Sequence, residues 1–284
     1  METSFYHPTS LQDAINILGR NDNMVLVNGG SDVILNIVAK KIDPAGLVYL
    51  RDIQELNYIF EDDEYVHFGG NITFRQMLAS PICQRIGGLR KAIEAVGSPA
   101  IRAVATPSGN IATAAPAADC ATMLLALRAE VVLVSEDGER IIPQNEIYLG
   151  AYKTKIKENE IIKEIRFPKL KDRMGSGYVR ISRRKAQDIA KIIVGATISL
   201  DEQARCNAAT ISLGALNSTA VRASSIENQL IGLEQDEAIL YAENNFPIEA
   251  GLRDSYFKEY KKNVLCDAVA QAIKMAFLEA KGDK

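Results

Sequence analysis

Two segments rich in glycine, alanine and serine are the parts of this sequence best suited to holding a ligand close to the main chain. The longer segment covers residues 97–119, reads GSPAIRAVATPSGNIATAAPAAD, and carries only two charges, Arg102 and Asp119. The shorter segment is Asn28-Gly29-Gly30-Ser31-Asp32. Small side chains let a ligand approach the backbone and leave N–H groups free to point at it. We therefore interpret the two segments as parts of one ligand-binding surface.

The shorter segment lies between two apolar runs. Met24–Val27 reads MVLV, which predicts a buried strand, and Val33–Val38 reads VILNIV, which predicts a helix. Ser31 or Asp32 is the expected cap of that helix. A strand, a glycine-rich turn and a helix N-terminus form an anion site, because free N–H groups and the helix dipole face the turn. The full G-x-G-x-x-G fingerprint is absent, so these residues alone fit either a phosphate-binding turn or a plain connection.

The longer segment is interrupted by prolines. Pro99 and Pro107 predict breaks in regular structure, and residues 107–110 (PSGN) have the composition of a turn. In such a turn, the three residues after Pro107 offer successive backbone N–H groups. Three hydroxyl side chains of this segment are available to a ligand: Thr106, Ser108 and Thr113. Asp119 precedes the apolar run 120–127, so its spacing favours a helix cap over a contact with ligand hydroxyls.

Composition argues against several other classes of protein. The 284 residues carry a net charge of −3, without the basic cluster of a nucleic-acid-binding protein or the apolar run of about 20 residues that spans a membrane. The N-terminus lacks the pattern of a signal peptide, so we expect a cytoplasmic protein. The four cysteines are widely separated and the two histidines have unrelated contexts. We expect reduced, mostly buried thiols, no metal site and no Ser-His-Asp triad.

The apolar runs predict a mixed α/β or α+β fold in two parts. The first part ends with a strand at Ile161–Phe167, and the polar segment 169–177 is the expected boundary. The second part begins with three predicted strands, at Tyr178–Ile181, Ile192–Leu200 and Ala208–Gly214. Its predicted helices cover Ser225–Leu233, Glu234–Ala242 and the long segment 253–280, whose apolar stripe indicates packing on the three strands. The basic run 183–185 (RRK) fits either a solvated turn or a source of positive charge for an anionic cofactor.

These segments resemble the FAD-binding (medium) subunits of the molybdenum-containing hydroxylases, the family of xanthine dehydrogenase and carbon monoxide dehydrogenase. Val27–Asp32 (VNGGSD) is similar to the family's first flavin motif, AGG(T/Q)(S/D). Ile101–Ala112 (IRAVATPSGNIA) resembles the second, IRNxATxGGN(I/L)A, and Pro116–Asp119 continues it. Tyr178–Ala190 (YVRISRRKAQDIA) resembles the family's (F/Y)xKxxRRxxxDIA segment. The opening Phe5–Pro8 (FYHP) also looks like the family's start.

The resemblance implies a fold and a noncovalent FAD site. An FAD-binding domain of the PCMH type is expected over residues 1–170, with subdomains of about 1–60 and 61–170. A C-terminal α+β domain of the CO dehydrogenase flavoprotein type, with a small three-stranded sheet and helices, is expected over 171–284. The first motif is expected to hold the pyrophosphate, and the second motif the rest of the diphosphate and the ribityl chain.

The resemblance also assigns individual residues. It implies that Asp119 meets the cofactor's hydroxyls, in place of the capping role that spacing favours, that Ile162 lies near the isoalloxazine, and that Arg180 occupies a position where many members carry lysine. The residues expected to contact FAD are Val27, Asn28, Gly29, Gly30, Ser31, Asp32, Val33, Thr106, Ser108, Gly109, Asn110, Thr113, Asp119, Ile162 and Arg180. No catalytic residue and no metal ligand is predicted.

Three departures from the family pattern bear on the flavin site. Asn28 replaces the usual alanine, Pro107-Ser108 replaces Ile-Gly, and Arg180 replaces lysine. Pro107 removes one backbone donor and makes the second motif less permissive. The departures bear on the geometry of the two motifs and on flavin tuning, while the class of protein stays the same.

The activity implied by the resemblance is electron transfer within an oxidoreductase complex. A large molybdopterin-binding subunit oxidises the substrate, a small subunit with two [2Fe–2S] clusters relays electrons, and FAD on this chain passes them to NAD⁺ or another acceptor. The implied assembly is a hetero-oligomer, such as a dimer of heterotrimers. Two alternatives stay open: a self-contained FAD oxidoreductase, and a scaffold subunit with or without flavin.

Overall fold

The computed structural model describes residues 3–184, 187–252, 254 and 256–282, which form sheets with helices packed on them. The strands are β1 (Ser4–Tyr6), β2 (Met24–Val27), β3 (Gly46–Tyr49), β4 (Ile59–Glu61), β5 (Tyr65–Gly69), β6 (Glu130–Ser135), β7 (Gly138–Pro143), β8 (Tyr148–Gly150), β9 (Lys153–Thr154), β10 (Ile161–Pro168), β11 (Met174–Ile181), β12 (Ile192–Leu200), β13 (Cys206–Gly214) and β14 (Val221–Arg222). The α-helices are α1 (Leu11–Arg20), α2 (Val33–Val38), α3 (Phe74–Ala79), α4 (Pro81–Gln84), α5 (Gly87–Glu94), α6 (Pro99–Val104), α7 (Pro107–Thr113), α8 (Asp119–Ala126), α9 (Gln144–Ile147), α10 (Ser224–Glu227), α11 (Gln235–Asn244) and α12 (Lys258–Lys281). None of the helices in these described ranges is both long and apolar enough to cross a lipid bilayer.

The N-terminal sheet is parallel, with the strand order β1-β3-β2. Residue Val27 at the end of β2 pairs with Tyr49 at the end of β3, so the carboxyl ends of both strands meet at one edge. The predicted strand Met24–Val27 and helix Val33–Val38 are confirmed with the expected bounds. Ligands bind at the carboxyl ends of parallel strands in sheets of this kind. The first glycine-rich segment begins at this edge, because it follows β2 directly.

The second sheet is antiparallel, with the order β4-β5-β10-β6-β7. Its buried side chains, among them Phe68 and Phe167, form one apolar cluster with residues of α5 and α8 such as Leu89 and Met123. A register shift in β10 between Ile162 and Glu164 interrupts the pairing with β6. Irregularities of this kind re-aim the backbone locally.

The third sheet has the order β11-β12-β13-β14 and is covered by α12. The long helix therefore packs on the three predicted strands as expected, and β14 adds a two-residue strand at the edge. β11 begins at Met174, so the last residues of the expected boundary segment 169–177, including its glycines, belong to a strand. Those glycines permit close contact with α12, since a Cβ on Gly177 would lie 1.9 Å from the Ala272 carbonyl oxygen.

Helix bounds in the C-terminal half differ from prediction at two places. α12 begins at Lys258 rather than at residue 253, which lies outside the described residues, and Tyr256 before it is 95% exposed. The helix predicted over Ser225–Leu233 is limited to Ser224–Glu227. The chain after this helix returns towards β13, where the Gly232 amide donates to the Cys206 carbonyl at 2.7 Å.

The prolines of the long central segment start helices, so the predicted breaks at Pro99 and Pro107 are wrong. Each is the first residue of a helix, α6 and α7, where the missing N–H has no helical partner in any case. Ser98 and Thr106 cap these helices, and the Thr106 hydroxyl accepts from the Gly109 amide at 3.0 Å. The residues interpreted as a turn are therefore the first turn of α7.

A single carboxylate, that of Glu279 near the end of α12, joins this helix to two distant segments. Its Oε1 accepts from the Gly87 amide at 2.6 Å, and its Oε2 accepts from both the amide and the hydroxyl of Ser176 at 2.6 Å. Gly87 is the first residue of α5, whose own N-cap, Ile86, provides no side-chain cap. Glu279 therefore caps α5 from the other end of the chain.

We expect Glu279→Ala to lower the free energy of unfolding by about 3 kcal/mol, because charge-assisted bonds are lost and partly buried donors stay unpaired. Urea unfolding followed by circular dichroism measures the loss. Gln271→Ala, at an exposed position of the same helix, is the control and should change stability by less than about 0.5 kcal/mol. Equal effects of the two substitutions would contradict the capping role.

Candidate functional site

The first glycine-rich segment lies directly against the end of α6. A Cβ on Gly29 would lie 2.1 Å from the Val104 carbonyl oxygen and 2.6 Å from its carbon, so only glycine fits this contact. Gly30 adopts a φ of +68°, in the left-handed region that glycine tolerates. The two segments predicted to share one surface are thus in contact.

The amides of this segment are available to a ligand. Within the described part of the chain, the backbone N–H groups of residues 29–32 donate no hydrogen bond. Asp32 is the N-cap of α2 at the predicted position, but its side chain makes no capping bond, since its backbone is helical rather than extended. Its carboxylate accepts from the Asn36 side chain at 2.9 Å instead. Four successive unpaired amides form a concave donor surface suited to an anion.

The second motif is more closed than predicted. The Gly109 amide donates to the Thr106 hydroxyl at 3.0 Å, and the Asn110 amide donates to the Thr106 carbonyl at 3.0 Å. Of the three amides expected to face a ligand, only that of Ser108 makes no hydrogen bond among the described residues. Thr106 and Ser108 are both 2% exposed. Thr113 lies half-buried in the last turn of α7.

Gly70 and Asn71, between β5 and α3, were not predicted as site residues. The Asn28 side chain donates to both of them, and the Ser108 hydroxyl donates to the Gly70 carbonyl. A Cβ on Gly70 would lie 2.2 Å from the Ile162 carbonyl oxygen, which brings the predicted residue Ile162 to the same place. A signal was present in the sequence, since Gly69-Gly70-Asn71 is another glycine- and asparagine-rich segment after a strand.

Asp119 forms a second group with Tyr178 and Arg180. Its Oδ1 accepts from the Tyr178 hydroxyl at 2.5 Å and from Arg180 Nε at 3.0 Å. Asp119 is the first residue of α8 and Ala118 is the N-cap, so the capping role favoured by spacing is wrong. Burial raises the pKa of the Asp119 carboxyl, and Tyr178 and Arg180 oppose this shift. Burial and Asp119 also raise the pKa of Tyr178 well above its usual value, so its hydroxyl remains a donor.

Arg180 also organises the turn that follows β11. Its Nη1 donates to the Ser182 hydroxyl at 2.6 Å, and its Nη2 donates to the Asp188 carbonyl. Arg183 and Arg184, 64% and 68% exposed at their side chains, form ion pairs with the Asp188 carboxylate. Lys185 of the same basic run lies outside the described residues.

These arginines border an open cleft of about 510 Å³. Its lining residues are Ala95, Arg180, Ile181, Ser182, Arg183 and Arg184. The group around Asp119 is linked to the second motif through the Asn110 side chain, whose oxygen accepts from the Ala121 amide at 3.0 Å. Among the predicted residues, Asn28, Ser108 and Ile162 thus lie around Gly70, and Arg180 lies against Asp119.

The residues at the edge of the N-terminal sheet fit the phosphates of a dinucleotide. Arg51 follows β3 at the edge where the first segment follows β2, and the Leu50 amide donates to the Val27 carbonyl at 2.9 Å. The Arg51 Nη1 is buried and has no hydrogen-bond partner. A buried donor without a hydrogen-bond partner is costly. This nitrogen and the unpaired amides of residues 29–32 are donors of the kind that a phosphate accepts from.

Comparison with known proteins gives the class of this fold and site. The family described as "FAD binding domain in molybdopterin dehydrogenase" matches residues 1–170, and the "CO dehydrogenase flavoprotein C-terminal domain" matches residues 177–275. The structure is similar to that of CO dehydrogenase from Oligotropha carboxidovorans, with a TM-score of 0.88 and 24% identity over 98% of this chain and 99% of that one. These matches define a flavin-binding subunit of the type found in molybdenum hydroxylases.

Two named relatives belong to the same class of protein. The xanthine dehydrogenase FAD-binding subunit of Escherichia coli O157:H7 is 30% identical over 243 residues, which cover 83% of each chain. The nicotinate dehydrogenase FAD-subunit of Eubacterium barkeri is 26% identical over 80% of this chain and 79% of its own. This chain belongs to the FAD-binding subunits of the molybdenum hydroxylase family, and it is an oxidoreductase subunit whose cofactor is FAD.

Proposed function

We propose that this chain holds FAD between its two motifs and passes electrons from the [2Fe–2S] clusters of a small partner subunit to NAD⁺ or another acceptor. The observation that carries the proposal is the row of unpaired amides at residues 29–32, held against the end of α6 by Gly29. Bound FAD supplies the electron-carrying chemistry, and the chain positions it. A large molybdopterin-binding subunit completes the complex, which we propose to be a hetero-oligomer such as a dimer of heterotrimers. A cytoplasmic location stays a prediction.

The two domains share this work in our proposal. Residues 1–170 provide both flavin motifs, and residues 171–284 contribute Arg180 to the group around Asp119. In the first motif, the amides hold the pyrophosphate and Arg51 balances its charge. In the second, the Ser108 amide is the donor left for the cofactor, and Asp119 faces its hydroxyls with Arg180 fixing the carboxylate.

We further propose an anionic acceptor, such as NAD⁺, at the cleft beside Arg180. Arg183 and Arg184 share one carboxylate, that of Asp188, so the exposed rim of the cleft carries excess positive charge. Exposed charges of this kind guide a pyrophosphate-containing molecule and act less strongly at high salt. Rapid-reaction measurements of acceptor reduction by the reduced complex, at low and high salt, test this point.

The flavin content of the purified chain tests the main proposal. We expect a yellow protein with flavin absorption bands and FAD that is released on heat denaturation. Colourless protein that takes up no added FAD would favour the scaffold alternative. Oxidation of an organic substrate by the isolated chain would favour the self-contained oxidoreductase. Co-purification of one molybdopterin-containing and one iron–sulfur-containing chain would support the proposed complex.

Removing the charge of Arg51 is expected to weaken FAD binding. For Arg51→Met we expect roughly a tenfold rise in the FAD dissociation constant, because a charge-assisted contact with phosphate is lost. Quenching of flavin fluorescence on binding measures the constant. Arg20→Met, at an exposed arginine in the last turn of α1, is the matched control. Unchanged affinity in Arg51→Met would place the phosphates elsewhere.

A further inference from the structure

We propose that the Gly70-Asn71 turn is a positioning element that fixes the two flavin motifs relative to each other. In this arrangement, the side chains of Asn28 and Ser108 act through Gly70 rather than by touching the cofactor, while the Ser108 backbone amide stays free to donate to it. The inference rests on the proposed flavin site, and it assigns a role to two positions where the sequence departs from the family pattern, one in each motif. It also replaces the direct cofactor contact predicted for these two side chains.

The two departures converge on one atom. The Asn28 side-chain nitrogen donates to the Gly70 carbonyl at 3.1 Å, and the Ser108 hydroxyl donates to the same carbonyl. Residue 28 belongs to the first motif and residue 108 to the second. The alanine and glycine of the family pattern have no side-chain donor to make either bond. One carbonyl oxygen therefore connects the two motifs through side chains that this sequence has introduced.

The turn that carries this carbonyl is itself fixed by neighbouring segments. The Gly70 amide donates to the Lys163 carbonyl at 2.8 Å, and the Asn71 amide donates to the Leu56 carbonyl at 2.9 Å. The Asn71 side chain, 2% exposed, donates to the Leu50 carbonyl at 2.5 Å and to that of Ile53 at 3.3 Å. The turn is thus attached to β10 and to the segment after β3, so it is a rigid support for both motifs.

Counting donors shows that neither side chain has a hydrogen left for the cofactor. The Asn28 amide nitrogen carries two hydrogens, and it donates to the Gly70 carbonyl and to Asn71 Oδ1, the latter at 2.6 Å. The Asn28 Oδ1 is an acceptor, which a phosphate repels. Ser108 has one hydroxyl hydrogen and donates it to Gly70, so the 3.0 Å contact with Thr106 is donated by Thr106.

A double-mutant cycle separates positioning from direct contact. Asn28→Ala, Ser108→Ala and the double variant are titrated with FAD, and flavin fluorescence gives the dissociation constants. Each single substitution is expected to weaken FAD binding roughly three- to tenfold. Because breaking either bond already uncouples the motifs, the double variant is expected to bind about as weakly as the weaker single variant. Two independent contacts would instead multiply the two losses.

Further measurements separate positioning from loss of fold. The melting temperature of each FAD-free variant identifies any that fail to fold, and the visible circular dichroism of bound flavin reports its orientation. Asn28→Asp, which retains the shape but places an anion next to two acceptor oxygens, is expected to bind FAD less tightly than Asn28→Ala. Asn36→Ala, which removes a side chain that donates to the exposed Asp32 carboxylate, should bind like the parent protein.

The outcomes distinguish this inference from the function on which it rests. If the parent protein binds no FAD, the proposed function fails. If the parent protein binds FAD and both single variants bind it as tightly as the parent, only the positioning role is wrong. The same holds if the losses of the two single variants multiply in the double variant. A double variant that binds FAD no more weakly than the weaker of the two single variants, with an altered flavin circular dichroism signal, supports the positioning role.

Discussion

Gly29→Ala is expected to raise the FAD dissociation constant by roughly two orders of magnitude, since overpacking against a fixed neighbour costs up to about 3 kcal/mol. The added methyl group would lie 2.1 Å from the Val104 carbonyl oxygen. That oxygen is backbone, at the last residue of α6 and inside the second motif, and α7 begins three residues later. The first segment must therefore move away from the second, and its unpaired amides move with it.

The measurement is FAD titration together with the flavin content of the purified variant. Gly19→Ala is the matched control: its Cβ would lie 2.3 Å from a carboxylate oxygen of Glu136, an exposed side chain that is free to rotate away. Its affinity for FAD should equal that of the parent protein. Full flavin content in Gly29→Ala would mean that the contact between the motifs has no part in the cofactor site.

The first motif could be predicted from the sequence because its structure is local. The run at Met24–Val27 forms a strand, Gly29-Gly30 the turn, and Val33–Val38 a helix, each specified by adjacent residues. Asp32 is the N-cap residue as predicted, but its capping bond is absent for an equally local reason, since its backbone is helical where that bond needs extended backbone. The amides of residues 29–32 are unpaired in either case, because a capping side chain would accept from residues inside α2.

The second motif was less predictable because a proline has two opposite uses. Pro107 interrupts a helix from within but begins one at its first position, and Thr106 before it decides between these uses by capping. Once α7 is a helix, the amides of Gly109 and Asn110 are paired within its first turn. The prediction of three free donors fails as a direct consequence.

The partners of buried polar groups could not be predicted because they lie far apart along the chain. Asn28 and Gly70 are 42 residues apart, and Asp119 and Tyr178 are 59 apart. Residue spacing carries no information on such pairs until the sheets place them together. The resemblance to a family correctly identified the cofactor, but it gave no partner for Asn28, which departs from the family pattern.

The second large effect is expected on the free energy of unfolding, through the ion pair that connects residues 1–170 with residues 171–284. In Asp119→Ala, Arg180 loses its charged partner while staying mostly buried, with 11% of its side chain exposed. Removing one member of a buried ion pair costs about 3–5 kcal/mol, because the remaining charge is left without compensation. We therefore expect urea unfolding to show a loss of that size, with reduced retention of FAD.

Two further variants identify the cause of this loss. Asp119→Asn keeps the shape of the side chain and an acceptor for the Tyr178 hydroxyl but removes the charge that pairs with Arg180, so it should lie between the parent and Asp119→Ala. Tyr178→Phe removes one donor and leaves the ion pair intact, and it should cost only about 1 kcal/mol. If Tyr178→Phe were the most damaging of the three, the hydroxyl rather than the ion pair would hold Asp119. Because Arg180 also fixes the turn through Ser182 and Asp188, loss of the ion pair should reach the cleft proposed for the electron acceptor, whereas loss of the Tyr178 hydroxyl should not.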